Sequence, residues 1–286
     1  MTPTPPLTPA STPTAPVILL TGATGGLGTA LAQTLAARGT RLGITARTPD
    51  TLHALARRLA ATGADVVPLV CDAADPADAE AATGRLIAAY GRIDALIANA
   101  GVEGPVGPTW ELPLDDWWSA VRTNLLATAA TAHTVLPHMV RQRSGRIVSV
   151  SSAAGHHRWP TLSAYSVSKA AGIKYIENIA YEARAHNIQA FSLHPGLLPT
   201  GLSTTALAAA PTSHWHERRS TWVRNQLADG HGTPVHRAVD AVIALLDGDA
   251  DHRSGSYLTV EDVLDTDTAD QHLPDAPTRP AGTQHH

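Results

Sequence analysis

Val17-Ile-Leu-Leu20-Thr21-Gly22-Ala-Thr-Gly25-Gly26-Leu-Gly28 sets the architecture of this chain. Four apolar residues in a row suit a parallel strand buried on both faces. They run into a glycine-rich turn, and an alanine-rich helix to Arg38 follows, with Leu27, Leu31 and Leu35 on one face. In that order the glycines have a use. They let the backbone approach a pyrophosphate, while the helix N-terminus offers free N–H groups and a positive dipole end. A tight βα turn with no ligand has the same residues, so the strand and helix around it carry the argument.

The pattern repeats downstream. Arg41–Ala46 predicts a second strand, ending at Arg47, and Thr48-Pro49 opens a helix with an N-cap and a proline at N1. Asp65–Asp72 is the third strand, Asp75-Pro76 caps a helix to about Ala89, and Ile93–Ala98 is the fourth strand. A loop and long helix span Trp110 to Gln142, then a fifth strand Arg146–Ser152 and a helix to about His186. Strand Asn187–His194, helix His236–Asp247 and strand Ser256–Glu261 complete the alternation. Strand and helix alternating over residues 17–261 imply a doubly wound, Rossmann-type α/β domain around a parallel sheet.

Composition narrows the function. At 286 residues, 43% hydrophobic and 16% charged, the chain reads as one globular domain, residues 16–264. A Pro/Thr-rich tail (1–15) and an acidic, Pro-rich tail (265–286) flank it, and both are expected to be disordered. The net charge of −4 leaves no basic footprint for nucleic acid, and no Lys/Arg run suits an anionic membrane. No apolar stretch approaches the ~18 residues of a membrane helix. The N-terminus lacks the basic and apolar regions of a secretory signal, and the lone Cys71 forms no internal disulfide. A cytoplasmic location is the expectation. Fifteen histidines show no metal-ligand spacing with a supporting partner, so no metal is expected.

The chemistry concentrates in Ser152-Ala-Ala-Gly-His156-His157-Arg-Trp159-Pro-Thr-Leu-Ser-Ala-Tyr165-Ser-Val-Ser-Lys169. On a helix, Tyr165 and Lys169 lie one turn apart on the same face. A tyrosine titrates near ~10, and bringing it toward ~7 needs about 4 kcal/mol of selective phenolate stabilisation. An ammonium ~4 Å away supplies about 4 kcal/mol at an effective dielectric of ~20. The magnitudes match, so the pair can pass a proton to or from a carbinol oxygen. Ser152, where the fifth strand should end, can hold the same oxygen. Tyr-x-x-x-Lys also arises by chance on helices, but here it uses one of only two lysines, against nineteen arginines.

Together these motifs resemble the short-chain dehydrogenase/reductase family, whose glycine turn has the spacing Thr21-Gly22-x-x-x-Gly26-x-Gly28. The resemblance implies a seven-stranded parallel sheet, order 3-2-1-4-5-6-7, helices on both faces, and the site at the strands' carboxyl ends. It implies a catalytic tetrad of Asn124, Ser152, Tyr165 and Lys169. Ser152 and Tyr165 would hold the substrate oxygen, and Lys169 would lower the tyrosine pKa and bind the nicotinamide ribose. Asn124, at a helix kink, would continue the relay through water. Implied cofactor contacts are Gly22, Thr24, Gly25, Gly26, Leu27 and Gly28, with Asp72 on the adenine amino group. Asn99-Ala100-Gly101 would let a ribose lie close. Pro195, Gly196, Leu198 and Thr200 would line the carboxamide, with Tyr165 and Lys169 also facing the cofactor. The alternative for Asp72 is a turn carboxylate.

Ala46 stands where an NAD-type member carries Asp, and Arg47 follows, so NADP(H) is favoured over NAD(H). The family's second basic position is absent (Thr24, Gly25), and Arg47 could instead stack on adenine. The implied activity is reduction of a ketone, or oxidation of a secondary alcohol, on a small molecule, with alanine richness hinting at bacterial biosynthesis. A dehydratase or epimerase with an assisting cofactor, and a non-catalytic regulator, are the alternatives; the regulator would not need the tetrad. By the same resemblance, helices at about 114–142 and 160–186 would pack against a partner's, giving a homodimer or homotetramer. Thr259-Val-Glu-Asp-Val-Leu264 replaces the family's Asp-Gly-Gly turn, which puts the C-terminal subunit contact in doubt. Residues 201–233, with Trp215, Trp222, Arg218, Arg219 and Arg224, read as a substrate lid or as a solvated loop. A lid with these residues suits a large, aromatic or anionic substrate. His156, His157 and Trp159 are candidate pocket walls.

Overall fold

A computed structural model describes residues 15–208 and 213–265, so the tails predicted at 1–15 and 265–286 fall outside it except for residues 15 and 265. Strand β1 (Val17–Leu20) leads to α1 (Gly26–Ala37), β2 (Arg41–Ala46) to α2 (Pro49–Ala60), and β3 (Val66–Val70) to α3 (Pro76–Tyr90). Then come β4 (Ala95–Ala98), α4 (Leu114–Gln142), β5 (Gly145–Val150), α5 (Ser163–Ala183) and β6 (Ile188–His194). Helices α6 (Leu202–Ala208), α7 (His214–Ala228) and α8 (Val235–Asp247) precede β7 (Tyr257–Thr259) and α9 (Val260–Leu264).

All seven strands pair in parallel in the order β3-β2-β1-β4-β5-β6-β7, as the resemblance implied. The alternation within β1 shows why both faces need covering. Ile18 and Leu20 join the core beneath α1 and α8, whereas Val17 and Leu19 join the core shared with α3, α4 and α5. On β2, Gly43 leaves room for Leu86 of α3, whose methyl carbons would lie 2.9 Å from an added Cβ.

Several predicted boundaries shift for identifiable reasons. The last strand stops at Thr259, not Glu261, because the Thr259 hydroxyl and the Asp262 carboxylate form a capping box that starts α9. Strand β5 ends at Val150, two residues before Ser152, where the chain turns toward the site. Pro49 does sit in the first turn of α2, but the Thr48 hydroxyl makes no capping bond. At α3 the expected cap holds: Asp75 accepts from the N–H groups of Ala77 and Asp78. Much of the 201–233 segment is helical, as α6 and α7. Its periodicity is weak because α7 buries only Val223.

Candidate active site

The glycine turn closes onto the end of β4. Gly22 has φ +62°, and a Cβ there would stand 2.9 Å from the Ala100 Cα. The Thr21 hydroxyl accepts from the N–H groups of Asn99 and Ala100, and Asn99 Nδ2 donates to the carbonyls of Thr21 and Gly22, each at 3.0 Å. Asn99 therefore spends its amide on building the turn. A Cβ on Gly28 would lie 2.2 Å from the Gly22 carbonyl oxygen, so α1 begins in contact with the turn.

Helix α1 has no side-chain cap at Gly25 and no acidic residue in its first turn. Its leading N–H groups are thus left for an anion from outside the helix. A cleft of about 420 Å³ runs past this end, walled by Gly22, Thr24–Gly28, Arg47, Asp72, Asn99–Gly101, Ser152, Tyr165, Lys169 and parts of 195–201. These features fit a dinucleotide: donors and a dipole for the pyrophosphate, a cation at the β2 end, and polar side chains at the other end. Arg47 is exposed and makes no ion pair or side-chain hydrogen bond among the described residues. Asp72 plays the turn role as well as lining the cleft, since it accepts from the Ala74 N–H at 3.0 Å.

At the far end, α5 presents Tyr165 and Lys169. The Ser152 hydroxyl accepts from the Ala154 N–H at 3.2 Å and lies near enough to the Tyr165 phenol to lower its pKa. Lys169 Nζ lies 5.7 Å from the Tyr165 ring centre and donates to the Val150 carbonyl at 2.8 Å. Burial pushes this ammonium down to about 8. Burial also raises the Tyr165 pKa, opposed by the Ser152 hydroxyl; Glu103 raises it further and Arg219 lowers it. In the protein by itself the downward pull therefore comes from Ser152 and Arg219, not from Lys169 as expected.

Asn124 is 4% exposed and lies in the continuous helix α4. Its Oδ1 accepts from the Val102 N–H, and its Nδ2 donates to the Val102 carbonyl and the Ser168 hydroxyl, at 2.7, 2.9 and 2.9 Å. It ties the segment after β4 to α5 next to the lysine. Gly101 serves the same packing, because a Cβ there would stand 3.1 Å from Asn124 Oδ1 and 3.6 Å from Lys169 Nζ. Room for protein side chains is thus a second reason for the small residue expected to admit a ribose.

Residues 16–210 match the short chain dehydrogenase family model. The chain belongs to the short-chain dehydrogenase/reductase family. A bovine (Bos taurus) protein, dehydrogenase/reductase SDR family member 7B, is 32% identical over 235 residues, covering 80% of this chain and 70% of that one. Among solved structures, NAD+-bound xylitol dehydrogenase superposes with a TM-score of 0.77 at 25% identity, covering 85% of this chain and 96% of that one. A gluconate 5-dehydrogenase from Burkholderia cenocepacia, in complex with NADP and tartrate, gives a TM-score of 0.75 at 28% identity, covering 85% and 92%.

In this short-chain dehydrogenase/reductase, α7 packs against the segments that follow β4 and β5. Arg219 pairs with Glu103 at 2.8 Å, and Trp215 Nε1 donates to Glu111 at 2.9 Å. Trp222 meets Trp159 edge-on at 5.5 Å, which places the expected wall residue Trp159 against α7. The other expected wall residues, His156 and His157, are not among the residues lining the cleft: His156 stacks on Tyr257 with ring centres 4.8 Å apart, and His157 meets His156 edge-on. Sequence reasoning missed Ser168 and Glu103. Ser168 follows Tyr165 by three residues and precedes the lysine, and that helical spacing was the available signal. Glu103 carried one too: a carboxylate two residues after Asn99-Ala-Gly101 stands next to a predicted cofactor contact.

Proposed function

We propose that this chain is an NADP(H)-dependent reductase of a small-molecule ketone, with Tyr165 as the acid–base group. One observation carries the reading: Ser152, Tyr165 and Lys169 line the same cleft as the glycine turn and Arg47. Nicotinamide, when bound, supplies the hydride; the protein's part is to hold and protonate the carbonyl oxygen. Ser152 and Tyr165 grip that oxygen as a pair. Reduction needs Tyr165 in its neutral form, and burial, which raises its pKa, keeps it so. As the proton leaves, the Ser152 hydroxyl and the Arg219 guanidinium stabilise the phenolate, with Lys169 one turn along α5 from it. Asn124 and Ser168 position the segment that carries both groups. The α1 N-terminus would hold the pyrophosphate, and Arg47 the 2′-phosphate that distinguishes NADP.

Exposed apolar side chains support self-association. Trp110, Leu114 and Trp118 stand 86%, 74% and 57% exposed at and just before the start of α4, with Tyr181 at 68% on α5. A homodimer or homotetramer through these helices is the proposed assembly, in the cytoplasm. Among the described residues no helix is long and apolar enough to cross a membrane.

The test is Tyr165→Phe. It keeps the ring and removes the proton donor, so ketone reduction should fall ~10²–10⁴-fold while NADPH binding, followed by fluorescence, survives. Turnover within about threefold of wild type would mean that the site serves another reaction.

A further inference from the structure

We infer that Arg219 is a specificity-determining residue whose Nη1 takes a neutral oxygen acceptor on a planar, aromatic ketone held at Tyr165. This substrate class rests on the reductase reading above. Arg219 lies on α7, 116 residues from Glu103, yet its Nε and Nη2 both donate to Glu103 Oε1, at 3.0 and 2.8 Å. Both side chains are mostly buried, 14% and 19% exposed, and both act electrostatically on the Tyr165 phenol. That leaves Nη1, which is buried and has no hydrogen-bond partner among the described residues. An unpaired buried N–H on a charged group loses its water without compensation, so such a group is expected to have a use. Beside the proton donor, an acceptor on the substrate removes the penalty.

Charge and shape narrow the ligand. Glu103 already neutralises the guanidinium, so a carboxylate would bring a second anion to a single cation. A carbonyl or hydroxyl oxygen would not. The flanking side chains are aromatic, two indoles set edge to face. Arg219 lies 5.2 Å from the Trp222 ring centre, and Trp222 packs against Trp159 in the segment between Ser152 and Tyr165. Such walls suit a planar ring with one oxygen at Tyr165 and a second at Arg219.

Tetralone, hydroxytetralone and tetralone carboxylate test the assignment. Their binding is measured by calorimetry to protein saturated with the oxidised cofactor, where no ketone is reduced; kcat/KM is measured separately with the reduced cofactor. Wild type should bind hydroxytetralone at least about tenfold more tightly than tetralone, the scale of one charge-assisted hydrogen bond. Arg219→Lys keeps a cation beside Glu103 but removes Nη1, and should abolish that preference. A double variant, Glu103→Gln with Arg219→Gln, leaves no buried charge and should abolish it too. An Arg219-dependent binding preference without turnover of any ketone would keep this inference and end the reductase reading. Turnover of ketones with no such preference, or with no tetralone bound, would end the inference alone. Carboxylate binding tighter than hydroxytetralone would overturn the neutral-acceptor assignment.

Discussion

Lys169 Nζ donates a 2.8 Å hydrogen bond to the carbonyl of Val150, the last residue of β5. An ammonium meant to act on the phenol is thus anchored to the sheet, and it is held in a partly buried place. The unfolded lysine keeps its proton up to about 10.5, whereas the folded one loses it at about 8. Below about 8 both states are charged and the burial penalty is fully present. Between about 8 and 10.5 the unfolded state binds more protons, so stability rises with pH.

Lys169→Met should therefore stabilise the protein by on the order of 1–2 kcal/mol near neutral pH, after the lost hydrogen bond is subtracted. The gain should shrink as pH climbs through the window above 8. Urea unfolding at about pH 7 and about pH 9.5 measures it. An equal difference at both values would show that the lysine is not desolvated.

Glu103→Gln addresses the phenol. Burial raises the Tyr165 pKa most, and among the charges Glu103 raises it while Arg219 lowers it. Reduction uses the protonated phenol, so its rate holds below the tyrosine pKa and falls as pH rises through it. Removing the carboxylate should move that falling limb of the pH–rate profile to lower pH. A shift to higher pH is the contrary result.

Arg47→Asp should exchange cofactor preference. An exposed guanidinium on the cleft wall is suited to a 2′-phosphate, and a carboxylate there to ribose hydroxyls. NADPH affinity should drop about tenfold or more, with NADH unchanged or improved. Fluorescence titration of both cofactors decides it. Equal binding of the two by wild type would refute an NADP preference outright.

Ser168→Ala should cost about 1–3 kcal/mol in unfolding free energy, because it strands a buried Asn124 N–H. Asn124→Leu should cost more, since it also strands the Val102 N–H and carbonyl. Reduction should slow in both through misplacement of Lys169. Chemical denaturation reports the stability and single-turnover rates report the placement. A fully stable Ser168→Ala protein would mean that the network bears no weight.

Replacing Trp110 and Trp118 by Ser should shift the mass seen by light scattering at micromolar concentration toward the monomer. A wild-type protein already monomeric there would remove the assembly proposal.

Sequence alone determined the fold, because β1, β3 and β4 are wholly apolar runs, strand and helix patterns alternate along the chain, and the glycine turn follows β1 directly. It also located Ser152, Tyr165 and Lys169, whose helical spacing and strand-end position are local properties of the chain. What it left undetermined is long-range. Arg219 was one of three lid arginines until α7 brought it to Glu103, 116 residues away. Asn124 read as a mid-helix polar residue with an assigned role, and only packing shows its amide clasping Val102 and Ser168. The direction of the Tyr165 pKa was misjudged for the same reason. A one-dimensional spacing shows which charges are near, but desolvation depends on how much protein surrounds them. Tertiary structure sets that quantity, and here burial outweighs the neighbouring cations.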